Sequence, residues 1–297
     1  MKKRKDYINF LYLLVIFNLL SISCGAQRNE EFRIYDAMLI KQKPSLYKEG
    51  LSFINMIYDD SLLVYIDLSD LNASNLSNEK FLRSSKRIKP SYPICLDIEV
   101  WLFNEEHIHE SVRKYTDILQ KFKKKFPKTD IGLYGVIPYA DLNIYQEKAS
   151  FLNDKSKNWM QEWTYINSNL GSIVSNSNIA FPSCYTRFKD RDLWKFAFLE
   201  QIKKIKEIDS NIKIYAFLWP QYYAAGFDYN DHLVEADFWK LQLEMAYQYC
   251  DGVVIWAPHY NSNDRSDYTW NENVEWWQAT KQFIKAKNIK SNYANKR

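Results

Sequence analysis

Short apolar runs alternate with longer amphipathic stretches along most of the chain. The apolar runs lack regular polar alternation, which is typical of strands buried on both faces of a sheet. They predict strands at residues 32–40, 62–68, 94–101, 131–137, 179–185, 212–219 and 253–257. The amphipathic stretches repeat apolar residues at spacings of three and four, and they predict helices at 105–126, 192–208, 234–249 and 274–286.

This alternation of strands and helices predicts an α/β fold with a parallel sheet. Seven such units within 297 residues fit a (β/α) TIM-like barrel of about seven parallel strands. A doubly wound open sheet is the alternative, but such sheets usually carry a glycine-rich phosphate turn, and no G-x-G-x-x-G pattern occurs. Segments rich in Asn and Ser at 69–80, 167–178 and 259–273 predict loops, and no linker divides the chain. Residues 24–297 are therefore predicted to form a single domain.

The first residues have the order of a secretory signal. Residues 2–5 are basic, 8–20 are apolar, and small residues lead to Cys24. The apolar run is shorter than the roughly 20 residues that span a bilayer. Cys24 after small residues resembles a bacterial lipobox, so we expect residues 1–23 to be a signal peptide and Cys24 to be lipidated. The chain would then be exported and lipid-anchored to the bacterial cell envelope, at the outer membrane or the periplasmic face; a simple cleaved signal and an uncleaved anchor are the alternatives.

Charge and cysteine content exclude several classes of partner. The chain has 40 basic and 36 acidic residues, and without the charged residues at positions 2–6 these become 36 and 35. A nearly neutral body lacks the basic surface of a nucleic-acid binder.

After export only Cys95, Cys184 and Cys250 remain, and the first two lie in apolar strand-like runs, which favours buried free thiols. The one paired histidine motif, His107-x-His109, lies at the polar start of a helix, and neither a metal nor a cofactor is predicted.

Aromatic content is high, with 10 Trp, 22 Tyr and 17 Phe. Without a basic excess, this content favours stacking on uncharged rings such as sugars, although an aromatic-rich core is an equal alternative. Several of these rings follow predicted strands, close to prolines that end the strand pairing. We expect Tyr139, Tyr185, Trp219 and Trp256 to meet at one rim of the barrel, and we predict a sugar-binding set of Trp256, Tyr139, Trp219, Trp101 and Gln221.

Two acidic residues lie near the end of the third predicted strand. Asp97 and Glu99 are two positions apart, so on a strand both side chains point to the same side. Close carboxylates in a partly desolvated site raise one pKa, and this makes a carboxylic acid available near neutral pH. A general acid that protonates a glycosidic oxygen needs that property. Two solvated or ion-paired residues at a strand end are the structural alternative.

Four collinear segments resemble the hyaluronidase-type glycoside hydrolases. They are DIEVW at 97–101, a Tyr-Gly pair followed by Pro138 and Tyr139, FPSCY at 181–185 and GVVIW at 252–256. Ile98 departs from the family, which has Trp between the carboxylates, and the family's disulfides have no counterparts here. Chitinase-like and muramidase-like barrels also carry a strand-borne D-x-E, so the family assignment stays open.

The resemblance implies a distorted (β/α) barrel that cleaves β-linked N-acetylhexosamine polymers with retention. In that family the 2-acetamido oxygen of the substrate is the nucleophile. By resemblance, Glu99 is the general acid and base, Asp97 holds the acetamide N–H, Tyr185 binds the acetamide carbonyl, and Trp256 packs on its methyl group. The nearly neutral body offers little attraction for polyanionic hyaluronan, so the reaction class is a firmer expectation than that substrate.

Other functions remain compatible with the sequence. A surface glycan-binding lipoprotein would keep the aromatic rim without catalysis, whereas a scaffold used in envelope assembly would have no affinity for sugar. If the acetamido group is not the nucleophile, a second carboxylate must be, and Glu235 and Asp237 are the first candidates.

Overall fold

The computed structural model describes residues 32–67, 69–139, 156–224, 227–261 and 264–292. The strands are β1 Arg33–Met38, β2 Ser52–Phe53, β3 Asn55–Tyr58, β4 Leu63–Val64, β5 Asn75–Leu76, β6 Ile94–Asp97, β7 Ile131–Leu133, β8 Ile179–Ala180, β9 Lys213–Leu218 and β10 Gly252–Ala257. The helices are α1 Asn78–Ser85, α2 Ile108–Lys125, α3 Ser156–Ser168, α4 Gly171–Ser175, α5 Arg191–Ile208, α6 Ala236–Tyr249 and α7 Glu275–Lys287.

The parallel strands form a distorted (β/α) barrel, as the sequence predicted. One sheet has the order β2-β1-β10-β9-β8 and the other has the order β3-β6-β7. A single residue separates β2 from β3, so this segment pairs with β1 at one end and with β6 at the other. A parallel bridge between Tyr134 and Phe181, just beyond β7 and β8, joins the remaining edges. The chain thus closes a ring of seven strand positions, and Phe32–Arg297 forms one compact unit.

Burial explains why these segments form the barrel wall. In β9 and β10 nearly every residue is buried, which matches strands covered on the inside by neighbouring strands and on the outside by helices. The helices turn apolar stripes inward: Ile118, Leu119 and Phe122 of α2 are fully buried. Asp190 caps α5 by accepting hydrogen bonds from the backbone N–H groups of the first turn.

The second strand lies elsewhere than predicted. The prediction at 62–68 is wrong, because Leu63–Val64 forms only a two-residue antiparallel pair with β5. The barrel position is taken by β2 and β3, whose polar residues Ser52 and Asn55 are buried. The Asn55 amide donates to the carbonyls of Lys89 and Tyr92 and accepts from the Lys89 N–H. These bonds allow a polar side chain inside the wall, which the apolar pattern could not reveal.

Three strands end earlier than predicted, and some loops contain regular structure. The strand predicted at 94–101 ends at Asp97, the one at 131–137 ends at Leu133, and the one at 179–185 ends at Ala180. Gly135 has a φ of 68°, so the backbone turns away from the sheet just beyond β7. Beyond β8, Pro182 cannot donate a ladder hydrogen bond, and only an isolated parallel bridge between Ser183 and Phe217 continues the pairing with β9. The loop predicted at 69–80 contains β5 and the start of α1, and the one at 167–178 contains α4.

Several other expectations concern particular residues. Cys95, Cys184 and Cys250 are buried and unbridged, which confirms the thiol prediction. Residues 1–23 and Cys24 lie outside the described residues, so the signal and the lipid anchor stay predictions. No helix within the described ranges is long and apolar enough to cross a bilayer.

Candidate active site

A cavity of about 440 Å³ opens at the carboxyl ends of the barrel strands. Its lining comes from the end of β6, from β10, from Tyr115 of α2 and from the segments that follow β6, β7, β8 and β9. This is the end of the barrel at which (β/α) enzymes build their active sites from loops of several units. The early ends of β6, β7 and β8 matter here, because the segments beyond them supply much of the lining.

The two acidic residues of the D-x-E motif both line this cavity. Asp97 is the last residue of β6 and is half-buried, whereas Glu99 lies beyond the strand and is accessible to solvent. Ile98 between them is buried. The structure therefore brings the two carboxyls into one space, although only one of them belongs to a strand.

Both carboxyls hold protons more tightly than ordinary acidic side chains. Burial, the nearby charge of Glu99 and that of Asp59 raise the pKa of Asp97 to about 8. Burial and Asp59 also raise the pKa of Glu99, while the Arg187 guanidinium acts in the opposite direction. Although Glu99 is accessible to solvent, neighbouring groups remove part of its hydration, and this loss is the main cause of the rise in its pKa. Near neutral pH the pair therefore carries a proton that can be transferred.

Three aromatic rings form one wall of the cavity. Tyr185 stacks on Trp256 with ring centroids 5.9 Å apart and an interplanar angle of 27°. Trp219 stands edge-on to Trp256 at 4.9 Å and to Tyr185 at 5.4 Å. The Trp256 Nε1–H lies 3.4 Å from the Tyr58 hydroxyl oxygen. Three of the four rings that were predicted to meet are thus in mutual contact, whereas the fourth, Tyr139, packs on Phe103.

Tyr185 also belongs to a chain of hydroxyl groups. It is hydrogen-bonded to Tyr134, whose own hydroxyl donates to Ser183 Oγ at 3.0 Å. Burial, followed by the influence of Tyr134, raises the pKa of Tyr185 well above its usual value. Tyr185 therefore stays protonated, and its single O–H, which is engaged with Tyr134, must rotate away from Tyr134 to donate to a group bound in the cavity.

The other predicted sugar-binding residues differ in their placement. Tyr139 lines the cavity and packs on Phe103 at 5.1 Å. Trp101 also lines it but is buried, and its Nε1–H donates to Ser74 Oγ at 3.0 Å, so it is part of the wall. Gln221 is buried and is not among the lining residues.

Gln221 instead supports a cavity residue from behind. Its Oε1 accepts from Trp219 Nε1 at 3.0 Å, and its Nε2 donates to Asn261 Oδ1 at 3.1 Å. Gln221 therefore orients the Trp219 indole and connects the segment after β9 with the segment after β10. The sequence predicted that Gln221 contacts the sugar, whereas in the structure it lies behind the aromatic wall.

The predicted site left out several lining residues, and two of them contact each other. Arg187 and Tyr223 both line the cavity, and the guanidinium lies 4.6 Å from the centre of the Tyr223 ring. Arg187 lies two positions after the FPSCY segment, and Tyr223 lies four positions after Trp219. Two close carboxylates are often accompanied by a cation, and only this expectation could have pointed to Arg187 from the sequence.

The alternative carboxylates lie outside the cavity lining. Glu235 accepts a hydrogen bond from the Tyr222 hydroxyl at 2.5 Å, and Asp237 forms an ion pair with Arg191 at 2.7 Å. No group of three His, Cys, Asp or Glu within the described ranges converges as a metal site. His107 is engaged with Asn104 at the start of α2.

Comparison with solved structures shows a similar barrel in bee venom hyaluronidase. One crystal form is 13% identical and has a TM-score of 0.53, with 88% of this chain and 98% of that chain covered. Its complex with a hyaluronic acid tetramer is 15% identical and has a TM-score of 0.53, covering 88% of this chain and 97% of that one. No family model matches the chain, and no curated protein matches it in sequence. At these identities the likeness concerns the fold.

Proposed function

We propose that this protein is a retaining glycoside hydrolase that acts on glycans containing β-linked N-acetylhexosamine, with the acetamido group of the substrate as nucleophile. The observation that carries the proposal is the pair Asp97 and Glu99, with raised pKa values, in a cavity walled by Tyr185 and Trp256. The similar barrel of bee venom hyaluronidase and the collinear motifs support the same class of reaction.

The two carboxyls have different roles, and the proton that they share decides which of them is the acid. In the free protein the pair holds this proton: the pKa of Asp97 is raised to about 8, and that of Glu99 is also raised although Arg187 opposes the rise. A bound acetamide N–H donates to ionised Asp97 and thereby lowers its pKa. The proton then resides on Glu99, the more accessible carboxyl, where a general acid is needed.

The first chemical step breaks the glycosidic bond. Glu99 gives its proton to the glycosidic oxygen, the bond from this oxygen to C1 breaks, and the leaving sugar departs as an alcohol. The acetamido oxygen forms a bond to C1, while Asp97 accepts a hydrogen bond from the acetamide nitrogen. Tyr185 donates to the acetamide group before the attack, and Trp256 supports its methyl group.

The second step restores the catalyst. Glu99, now a carboxylate, removes a proton from water, and the water oxygen bonds to C1 as the bond from C1 to the acetamido oxygen breaks. Two displacements at C1 give net retention, and both carboxyls return to their starting protonation. No carboxylate nucleophile from the protein is required, in keeping with the positions of Glu235 and Asp237 outside the cavity lining.

Measurement of new reducing ends from a panel of N-acetylated glycans tests the proposal. We expect cleavage by the wild-type protein and loss of nearly all turnover in Glu99→Gln, with the fold intact by circular dichroism. Equally fast cleavage of substrates that lack the 2-acetamido group would refute acetamide participation. Binding without cleavage, and with affinity unchanged in Glu99→Gln, would favour the second candidate, a non-catalytic glycan-binding protein that uses the same aromatic wall.

We also propose that the chain acts outside the cytoplasm, exported and lipid-anchored to the cell envelope through Cys24. The support is the order of basic, apolar and small residues before that cysteine. Such a location would place the barrel among extracellular or envelope glycans.

A further inference from the structure

A row of aromatic rings leads outward from the cavity, and we call it the aromatic ledge: Tyr223, Phe227, Phe188 and Tyr229. Tyr223 lines the cavity and contacts Trp219 at 5.3 Å. Phe227 packs edge-on to Phe188 at 5.8 Å and against Tyr229 at 5.2 Å. Tyr223 and Phe227 remain 40% and 49% exposed. Arg187 lies between the two groups of rings, with its guanidinium over Tyr223 and its carbonyl oxygen 3.4 Å from the Tyr229 hydroxyl.

Backbone hydrogen bonds hold the segment that carries this ledge. The Tyr222 N–H donates to the His232 carbonyl at 2.9 Å, which pairs the two ends of the segment. Between them, buried Asn230 accepts from the Ala224 N–H at 2.8 Å, and the Phe227 N–H donates to the Ala224 carbonyl at 3.0 Å. These bonds tie together the described parts of the segment that carry Tyr223, Phe227 and Tyr229, and ordered rings have a lower entropic cost of binding.

A second loop adds to the same support. Arg187 packs its guanidinium over the Tyr223 ring, and the Tyr229 hydroxyl lies 3.4 Å from the Arg187 carbonyl oxygen. The segment after β8 therefore braces the segment after β9. Both segments belong to the strand ends that form the cavity, so the cavity and the ledge share one framework.

Exposed aromatic rings beside a cavity suit a particular kind of occupant. An apolar patch with a polar rim commonly marks a binding site. The face of an aromatic ring carries partial negative charge, and the axial C–H groups of a pyranose carry partial positive charge, so flat sugar faces stack on such rings. Hydroxyl groups at the sugar edge stay in water, and a half-exposed ring therefore meets the needs of a saccharide.

We propose that the aromatic ledge is a second sugar-binding site, which holds units of the same glycan chain that extend beyond the cavity. This inference rests on the proposed function. The cavity, at about 440 Å³, is in the lower part of the range of about 300–1,000 Å³ typical of small-ligand sites. It therefore accepts only a short part of a polymer, and the chain leaves it along the ledge. Such a protein binds long chains better than short ones and cleaves within them.

Binding measurements with chitohexaose and diacetylchitobiose test the ledge, each in the Glu99→Gln background to prevent cleavage. Phe227→Ala removes the most exposed ring of the ledge. We expect it to weaken chitohexaose binding about five- to tenfold, and to change diacetylchitobiose binding by less than twofold. Tyr249→Ala is the matched control: this ring is 38% exposed, but it ends α6, just before β10 and therefore at the opposite end of the barrel. We expect it to change neither affinity.

The outcomes separate the ledge from the chemistry. If chitohexaose affinity is equal in Phe227→Ala and its parent, or if the parent binds neither probe, the ledge proposal is overturned. Cleavage by the wild-type protein is judged separately, by reducing-end release. If chitohexaose binds through Phe227 but the wild-type protein cleaves no N-acetylated glycan, the ledge stands and the proposed hydrolysis fails.

Discussion

Asp97→Asn should stabilise the protein at alkaline pH while it impairs the proposed reaction. The carboxyl of Asp97 has a pKa raised from about 3.8 in its ordinary state to about 8 in the fold. Between those values the unfolded chain has lost a proton that the folded chain retains. The stability that the Asp97 carboxyl contributes is therefore fully present below about pH 4 and is lost progressively as the pH rises to about 8. Asparagine fills nearly the same volume without this loss.

The structure sets the size of the effect. Each pH unit across the window shifts the free energy of unfolding by up to about 1.4 kcal/mol, so the interval from pH 5 to pH 8 has a ceiling of about 4 kcal/mol. Asp97 is half-buried and lines an open cavity, so its partial exposure reduces the free-energy cost of ionising it. We therefore expect the free energy of unfolding of Asp97→Asn, relative to that of the wild-type protein, to increase by about 2 kcal/mol between pH 5 and pH 8.

Urea unfolding at pH 5, 6, 7 and 8 measures this difference. Asp237→Asn is the control, because that carboxyl is exposed and the Arg191 guanidinium lowers its pKa. Its stability difference from the wild-type protein should stay constant over the same interval. A difference for Asp97→Asn that does not grow with pH, or that grows in the opposite direction, would refute the reasoning about the shared proton.

Three further predictions concern the site and the N-terminus. Tyr185→Phe should lower kcat on N-acetylated substrates about a hundredfold and change KM little, because it removes one hydrogen-bond donor to the reacting acetamide; equal loss on substrates without the acetamido group would contradict this role. The value of kcat/KM should fall above about pH 8, because deprotonation of the Asp97 and Glu99 pair removes the transferable proton. A constant kcat/KM up to pH 10 would contradict this expectation. Cys24→Ser should abolish incorporation of labelled fatty acid and release the protein from membranes, whereas continued labelling would show that Cys24 is not the site.

The sequence predicted the barrel better than it predicted the details of the site. Continuous apolar runs such as β9 and β10 are recognisable, because burial on both faces leaves a strong pattern. The segment at β2 and β3 was missed because Asn55 is polar, and only its bonds to the turn at residues 89–92 make its burial possible. The hydrophobic pattern around residue 55 cannot show that hydrogen-bond partners lie more than 30 positions away in sequence.

The site shows the same limit. Asp97 and Glu99 could be paired from their spacing alone, since both lie on one short segment. The position of Gln221 behind Trp219 depends on Asn261, which is 40 residues away in sequence. Arg187 owes its importance to carboxylates that follow a different strand. Residues joined only by the closure of the barrel are therefore the ones that sequence reasoning placed wrongly or missed.

The hydrogen bonds of Gln221 carry a consequence for how such a barrel can diversify. Trp219 is oriented by an amide that also holds Asn261 of the neighbouring loop. Exchange of that neighbouring loop for another, by recombination or by design, would therefore release the indole as well. New specificities in this scaffold should arise more easily when both loops are inherited or replaced together.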